Sequence, residues 1–226
     1  MFVFKSAVNS FHYLYGDAEF FHELARSQAG DFAGVRAART ALLLYILSLE
    51  ALINRALEHL LPEHLRQFVL DREEKLTVED KWLLLPLLTT SDPAGHFDRS
   101  RYPWSHFVEL IKIRNEFVHP KHDRLAYYEA VSPTQWKPLS WKNIPEGLGV
   151  KETDVIFRQT QIPRDPYAVR LEHVDTVRQV VDATVQELDG LLGGRILKEG
   201  WAHSDGMGLV WPPGATLQDL LPKPSV

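Results

Sequence analysis

The sequence predicts an all-α, up-and-down bundle of about five helices. Three observations predict it. The nine residues Ala41–Leu49 are apolar nearly all round, inside a helical stretch bounded by Asp31 and Pro62. A helix that is apolar on every side is a central, buried one. Val174, Val177, Val181, Val185, Leu188 and Leu192 recur at helical spacing and form one stripe near the end of the chain. Between them, Trp104 to His119 carries a third apolar stripe, of Phe107, Leu110, Ile111, Phe117 and Val118.

In chain order, Asp17 to Gln28 reads as a short amphipathic helix ended by Gly30, and Asp31 then caps the long helix that runs to about Leu61. Glu50 and Asn54 lie one turn apart on that helix. If they face inward, each needs a polar partner. Thr77-Val78-Glu79-Asp80 has capping-box spacing, with Asp at the position usually held by Glu or Gln, and Pro86 is expected to kink or end the helix that follows. Ser91 to Pro103 reads as a loop before the helix at 104–119. Residues 127–163 form a loop-rich excursion with Pro133, Pro138, Pro145, Gly147 and Gly149, in which Val155-Ile156-Phe157 is read as a short strand. The closing helix is expected over 167–192, with Gly193-Gly194 as its cap. The chain thus divides into one helical domain over 1–195 and a C-terminal extension over 196–226, where Trp201, Leu209, Val210 and Trp211 suggest that part of it docks.

Composition narrows the function classes. Hydrophobic residues make up 45% of the 226, enough for a real core. The chain has no cysteine, which excludes disulfides and thiolate metal sites. Residues 1–10 lack the order of a signal peptide, and the nine-residue apolar run falls short of the roughly 20 residues a bilayer span needs. The expectation is a soluble, cytoplasmic protein without a membrane partner. The formal net charge is −5, so the chain is no broadly basic nucleic-acid coat. Six Arg and Lys against three acids do cluster between Arg99 and Arg124, along with His106, His119 and His122. That suits a confined anion site; on charge alone, a solvated mixed-charge surface is the simpler reading.

The chemistry-bearing segment is Arg114-Asn115-Glu116-Phe117-Val118-His119-Pro120. Arg114 falls near the middle of an apolar stripe, where a guanidinium needs an acid, a ligand or a second subunit, because desolvating it unpaired costs several kcal/mol. Glu50 is the natural internal acid. Asn115 and His119 are four apart on the flank of the stripe. Pro120 disfavours the α conformation at His119, placing the imidazole at the helix end, among free carbonyls. A histidine there can act as general acid or base, Arg114 can hold a phosphate through its planar fork, and Asn115 can orient the imidazole or a hydroxyl. Lys112, Lys121 and His122 are candidate supporting or phosphate-contacting groups. This set fits RNA cleavage without a metal or other cofactor. Spacing alone is weak, because Arg101 and His106 repeat it; the Asn, the helix and the following Pro distinguish 114–119.

At these residues the chain resembles the HEPN superfamily (higher eukaryotes and prokaryotes nucleotide-binding), whose hallmark is Arg, a polar residue often Asn, three more residues, then His, late in a helical bundle. Arg114, Asn115 and His119 match position by position, and Ser48 to Asn54 is the kind of upstream helix such proteins carry. The resemblance covers roughly 17–123 and 167–192. It implies a metal-independent endoribonuclease in which two protomers join their Arg and His into a composite site and leave 2′,3′-cyclic phosphate ends. It also implies RNA and a second copy as partners, with an antitoxin or regulator where the protein is a toxin or defence factor. Some members are non-catalytic scaffolds, so a binding module is the alternative.

Other constellations are thinner. His59 and His64 lack a third metal ligand, and Pro-Lys separates His119 from His122 and Asp123. No glycine-rich phosphate loop or nucleophile elbow occurs. Trp136, Trp141 and Trp211 could stack bases, although tryptophans among prolines more often pin a loop to the core.

Overall fold

The computed structural model describes residues 9–72, 75–90, 95–119, 127–133 and 135–197. It is mostly helical, with α1 (Ser10–Ser27), α2 (Phe32–Leu60), α3 (Glu63–Leu70), α4 (Val78–Thr89), α5 (Trp104–Val118), the hairpin β1 (Tyr128–Ser132) and β2 (Gln135–Pro138), a short α6 (Glu152–Val155), and α7 (Leu171–Leu191). The all-α class is as expected. The excursion is more ordered than a loop, since Tyr128 pairs with Pro138 and Ala130 with Trp136 in an antiparallel ladder.

The all-round apolar composition of α2 dictates its place at the centre. Leu42, Leu49, Leu52, Ile53, Ala56 and Leu57 have no exposed surface, and α1, α3, α4, α5 and α7 all pack against this helix. By length and apolar composition alone α2 is also long enough to cross a membrane, which the nine-residue run did not reveal. More than half, 56%, of its most apolar stretch is buried inside the protein.

The α1–α2 hairpin depends on a tight reversal. Gly30 adopts φ +98°, a conformation open to glycine but strained for L side chains. Gly34 is held by space instead: a Cβ there would lie 2.2 Å from the Gln28 carbonyl oxygen. α7 runs antiparallel to α1, and three polar contacts fix the register at one-turn intervals. The Tyr15 hydroxyl donates to Asp182 at 2.6 Å, Arg178 Nη2 to Glu19 at 2.9 Å, and His22 Nε2 lies 3.0 Å from Asp175.

Two polar residues of α2 find their partners. Asn54 Oδ1 accepts from the buried Lys81 Nζ of α4 at 2.8 Å, and Glu50 receives Arg114 of α5. The capping box at Thr77 forms: Thr77 Oγ1 accepts from the Asp80 N–H, and Asp80 Oδ2 from the Thr77 N–H, both at 3.1 Å. Pro86 does not end α4, which continues to Thr89. The last turn is reinforced by the hydroxyls of Thr89, donating to Leu85 O at 2.6 Å, and Thr90, donating to Pro86 O at 2.9 Å.

Several boundaries differ from expectation. α1 starts at Ser10, not Asp17, because Asn9 caps it by accepting from the His12 N–H. Asp31 sits at the N-cap of α2 without a side-chain bond. Val155-Ile156-Phe157 is no strand: Val155 ends α6 and only Ile156 makes an isolated bridge, to Pro163. α7 starts at Leu171, not Tyr167. Residues 166–168 form a 3₁₀ turn instead, and extended Arg170 separates it from the helix, donating its N–H to His173 Nδ1 at 2.9 Å. Gly193 and Gly194 follow α7 with φ of 68° and 86°. Ile196 is buried, and the Ile196 and Leu197 N–H groups bond Asp189. The C-terminal segment from 198, including Trp201 and Trp211, lies outside the described residues.

Two predictions follow from this packing. Gly34→Ala will lower the unfolding free energy by about 1–3 kcal/mol in urea titrations, because the methyl meets backbone. His22 is buried, and desolvation holds its pKa below the ordinary 6.5 despite the opposing pull of Asp175. Tyr45, itself pushed up to about 12 by burial, stays protonated and can donate to His22 Nδ1. A depressed histidine pKa means that the unfolded chain takes up the proton first as pH falls. The stability is therefore complete above pH 6.5 and declines below it. Urea midpoints measured from pH 7.5 to 5.0 will fall less steeply in His22→Gln than in the parent.

Candidate functional site at the end of α5

α5 is set by three different faces. Trp104, Phe107, Leu110, Ile111 and Ile113 are buried and attach it to the core. Glu109 and Glu116, seven residues apart, share a second face, and both reach the excursion. Glu109 accepts from the backbone N–H groups of Gln159 and Thr160, at 3.1 and 2.6 Å, and from the Thr160 hydroxyl at 2.8 Å. Glu116 takes Arg164 Nη1 on both carboxylate oxygens, at 2.6 and 2.7 Å. The Arg164 guanidinium also lies 4.3 Å from the Phe157 ring centroid. The third face is open: Lys112, Asn115, Val118 and His119 are exposed.

Arg114 sits between the core and the open face. Its Nη2 donates to Glu50 Oε2 of α2, and its Nη1 donates to Asn115 Oδ1 at 2.7 Å. The pair is not sealed. The Arg114 side chain keeps 24% of its surface exposed and that of Glu50 29%, so water reaches both charges. Glu50 therefore satisfies the desolvation requirement on Arg114, while about a quarter of the side chain's surface stays in contact with solvent.

α5 ends at Val118. His119 leaves the helical conformation with φ −125° and ψ 68°, and its N–H bonds the Asn115 carbonyl at 3.0 Å. Asn115 and His119 share one flank of the helix end, one turn apart. Arg114 is five residues from His119, about 140° round an ideal helical wheel. Lys121 and His122, and with them the His119–His122–Asp123 metal reading, lie outside the described residues. Among the described residues no three His, Asp or Glu side chains converge to hold a metal ion. Arg101, of the repeated spacing, pairs locally with Asp98 at 2.6 Å and is mostly exposed.

A cleft of about 890 Å³ lies elsewhere, between the α1–α2 turn, the hairpin and the start of α7. Its lining includes Gly34, Trp141, Arg170 and His173 and none of Arg114, Asn115 or His119. Gly34 to Glu50 is about 24 Å along the α2 axis. Sequence reasoning missed this cleft, because it is built from four separated segments. It also missed the role of Glu109, Glu116 and Arg164. The seven-residue spacing of the two acids places them on one face but says nothing about what that face meets.

The carboxylate clamp is open to a direct check. Glu109→Ala and Arg164→Ala will each speed amide exchange across 157–164 at least tenfold, by hydrogen–deuterium exchange, with α1 and α2 unchanged. Compared with the models of protein families, with curated proteins and with solved structures, the chain has no match.

Proposed function

We propose that this protein is a metal-independent endoribonuclease that works as a homodimer, with Arg114 and His119 of two protomers forming one composite site. What carries the reading is the arrangement at the end of α5: an Arg114 anchored by Glu50 but still partly exposed, beside an exposed row of Lys112, Asn115 and His119. The separation of Arg114 and His119 round the helical wheel supports a site completed by a second copy, and exposed Val118 offers apolar surface next to it.

In this mechanism His119 takes the proton of a ribose 2′-hydroxyl. The 2′-oxygen attacks the adjacent phosphorus, the bond to the 5′-oxygen breaks, and that oxygen leaves with a proton returned by an imidazole. The products are a 2′,3′-cyclic phosphate and a 5′-hydroxyl. The Arg114 guanidinium stabilises the charge that builds on the phosphoryl oxygens. Glu50 limits the rotation of Arg114, so the fork is oriented before substrate arrives. Lys112 adds positive charge along the row. RNA is the substrate, and an antitoxin or other regulator is the partner that would hold such an activity in check in a toxin or defence setting.

A second reading has its own support. Arg114 has two partners within the chain, Glu50 and Asn115, which satisfy it without any ligand. On that reading the domain is a non-catalytic HEPN-like binding or scaffold module, and Arg114 joins α5 to α2.

The two readings separate in one assay. Purified protein is incubated with varied single-stranded RNAs in EDTA, beside Arg114→Ala and His119→Ala, with folding checked by circular dichroism. The ribonuclease predicts fragments with cyclic phosphate ends and a loss of at least about 100-fold in both variants. Inertness of the parent protein on all substrates, or cleavage that survives His119→Ala, would reject it and leave the scaffold.

A further inference from the structure

The start of α2 carries an arrangement that the α5 site does not use. Phe32 and Tyr167 are large aromatic side chains left 57% and 55% exposed. Their rings are parallel to within 10°, with centroids 6.3 Å apart. Arg36, one turn after Phe32, lies with its guanidinium 4.6 Å from the Phe32 centroid, and that of Arg39 lies 5.2 Å from the Tyr167 centroid. Both distances are within cation–π range. Among the described residues neither guanidinium has a carboxylate partner. Even with a guanidinium and the other ring beside it, each aromatic keeps more than half of its surface open to solvent.

Core packing does not account for this group. A structural aromatic is normally buried, and a solvated arginine on a helix face needs no aromatic partner. Here two rings and two cations that have no carboxylate partner among the described residues meet at the surface, from Phe32 and Tyr167, 135 positions apart in the chain. The chemistry they would recognise together is a flat π-system joined to an anion. Phe32 also borders the 890 Å³ cleft, whose lining includes Lys137, Trp141 and Lys142. The same combination therefore continues inward. Asp31, Glu129 and Glu172 line the cleft too, so the local charge is mixed and phosphate attraction alone would be weak.

We infer that Phe32, Tyr167, Arg36 and Arg39 form a binding platform for single-stranded nucleic acid, stacking unpaired bases on the two rings and holding the intervening phosphate with the two guanidiniums. Stacking is open to every base, so the platform is tolerant of sequence. It requires bases with free faces and therefore discriminates against duplex. Arg36 and Arg39 stand about 17–21 Å from Glu50 along α2, so the platform is separate from the α5 site and does not rest on cleavage there. If that site is a ribonuclease, the platform is where its single-stranded substrate is retained.

The test reads binding without cleavage. Fluorescence anisotropy of the full chain is measured with a labelled 2′-O-methyl RNA 12-mer, which lacks the attacking hydroxyl, and with a DNA 12-mer and a 12-base-pair RNA duplex. The platform predicts saturable binding of the single strands and at least tenfold weaker binding of the duplex. Only one phosphate is held, so the logarithm of affinity will fall with the logarithm of salt concentration at a slope of roughly −0.7. Phe32→Leu with Tyr167→Leu keeps apolar volume and removes the π faces, and will weaken binding about tenfold. Arg36→Gln with Arg39→Gln will do the same and flatten the salt slope. Any one of three results overturns the inference: no binding of either single strand, equal binding of duplex, or undiminished binding by the folded Leu pair. RNA bound at least tenfold more tightly than DNA would assign the platform to RNA; equal affinity would assign it to single strands of either kind. An inert cleavage assay beside intact platform binding would remove the ribonuclease and leave the platform.

Discussion

Everything in this fold depends on covering α2. A 29-residue helix that is apolar on nearly every side cannot be left against water on any of them, because each exposed leucine would give up roughly 1.5–3 kcal/mol of burial. One cover is insufficient. α1 takes one side through a tight hairpin at Gly30 and Gly34, α7 another, and α4 and α5 the remainder. The polar residues of α2 then act as exceptions that set register. Tyr45 meets His22, Asn54 meets Lys81, and Glu50 meets Arg114. At the buried His22 and Lys81 a displaced partner would leave a polar group unsatisfied, so the covering helix is held in one register there.

That logic ties the candidate site to the core. Arg114 is not a core residue that happens to be charged; it is the contact by which α5 recognises α2. The same pair holds the guanidinium beside Asn115, at the margin of the open face. Glu109 and Glu116 fix α5 from another side by gripping the segment that leads into α7. With two faces committed, the third is held rigidly toward solvent, and Lys112, Asn115 and His119 lie on it. A catalytic or binding surface requires such fixed placement, and Glu50, Glu109 and Glu116 supply it for this face.

Much of the architecture was legible in the one-dimensional pattern, for identifiable reasons. The apolar run of α2, the valine stripe of α7 and the Thr77–Asp80 cap are local signals, each written within one or two turns of helix. The misreadings also share a cause. The apolar period becomes regular only from Asp17, whereas Asn9, which caps α1, precedes a stretch with no clear period. Pro86 predicts a kink or an end, but α4 continues through it to Thr89, where burial of its neighbours Trp82 and Leu85 outweighs the one backbone bond it forgoes. Tyr167 seemed to open α7, but the chain first makes a separate turn that aligns Tyr167 with Phe32.

By itself the sequence determined the all-α class, a central α2 and an arginine at the end of α5 that needed an acid, a ligand or a second subunit, with Glu50 the natural acid. Those follow from periodicity and from the energetic cost of a lone buried charge, both readable along the chain. Only the tertiary structure decided that the Arg114–Glu50 pair stays partly open, that Glu109 and Glu116 clamp the excursion, and that Phe32 and Tyr167 meet beside Arg36 and Arg39. These join residues 48 to 135 positions apart. Whether such groups touch is set by helix register and crossing, which depend on the packing of the whole core and not on any local run of residues.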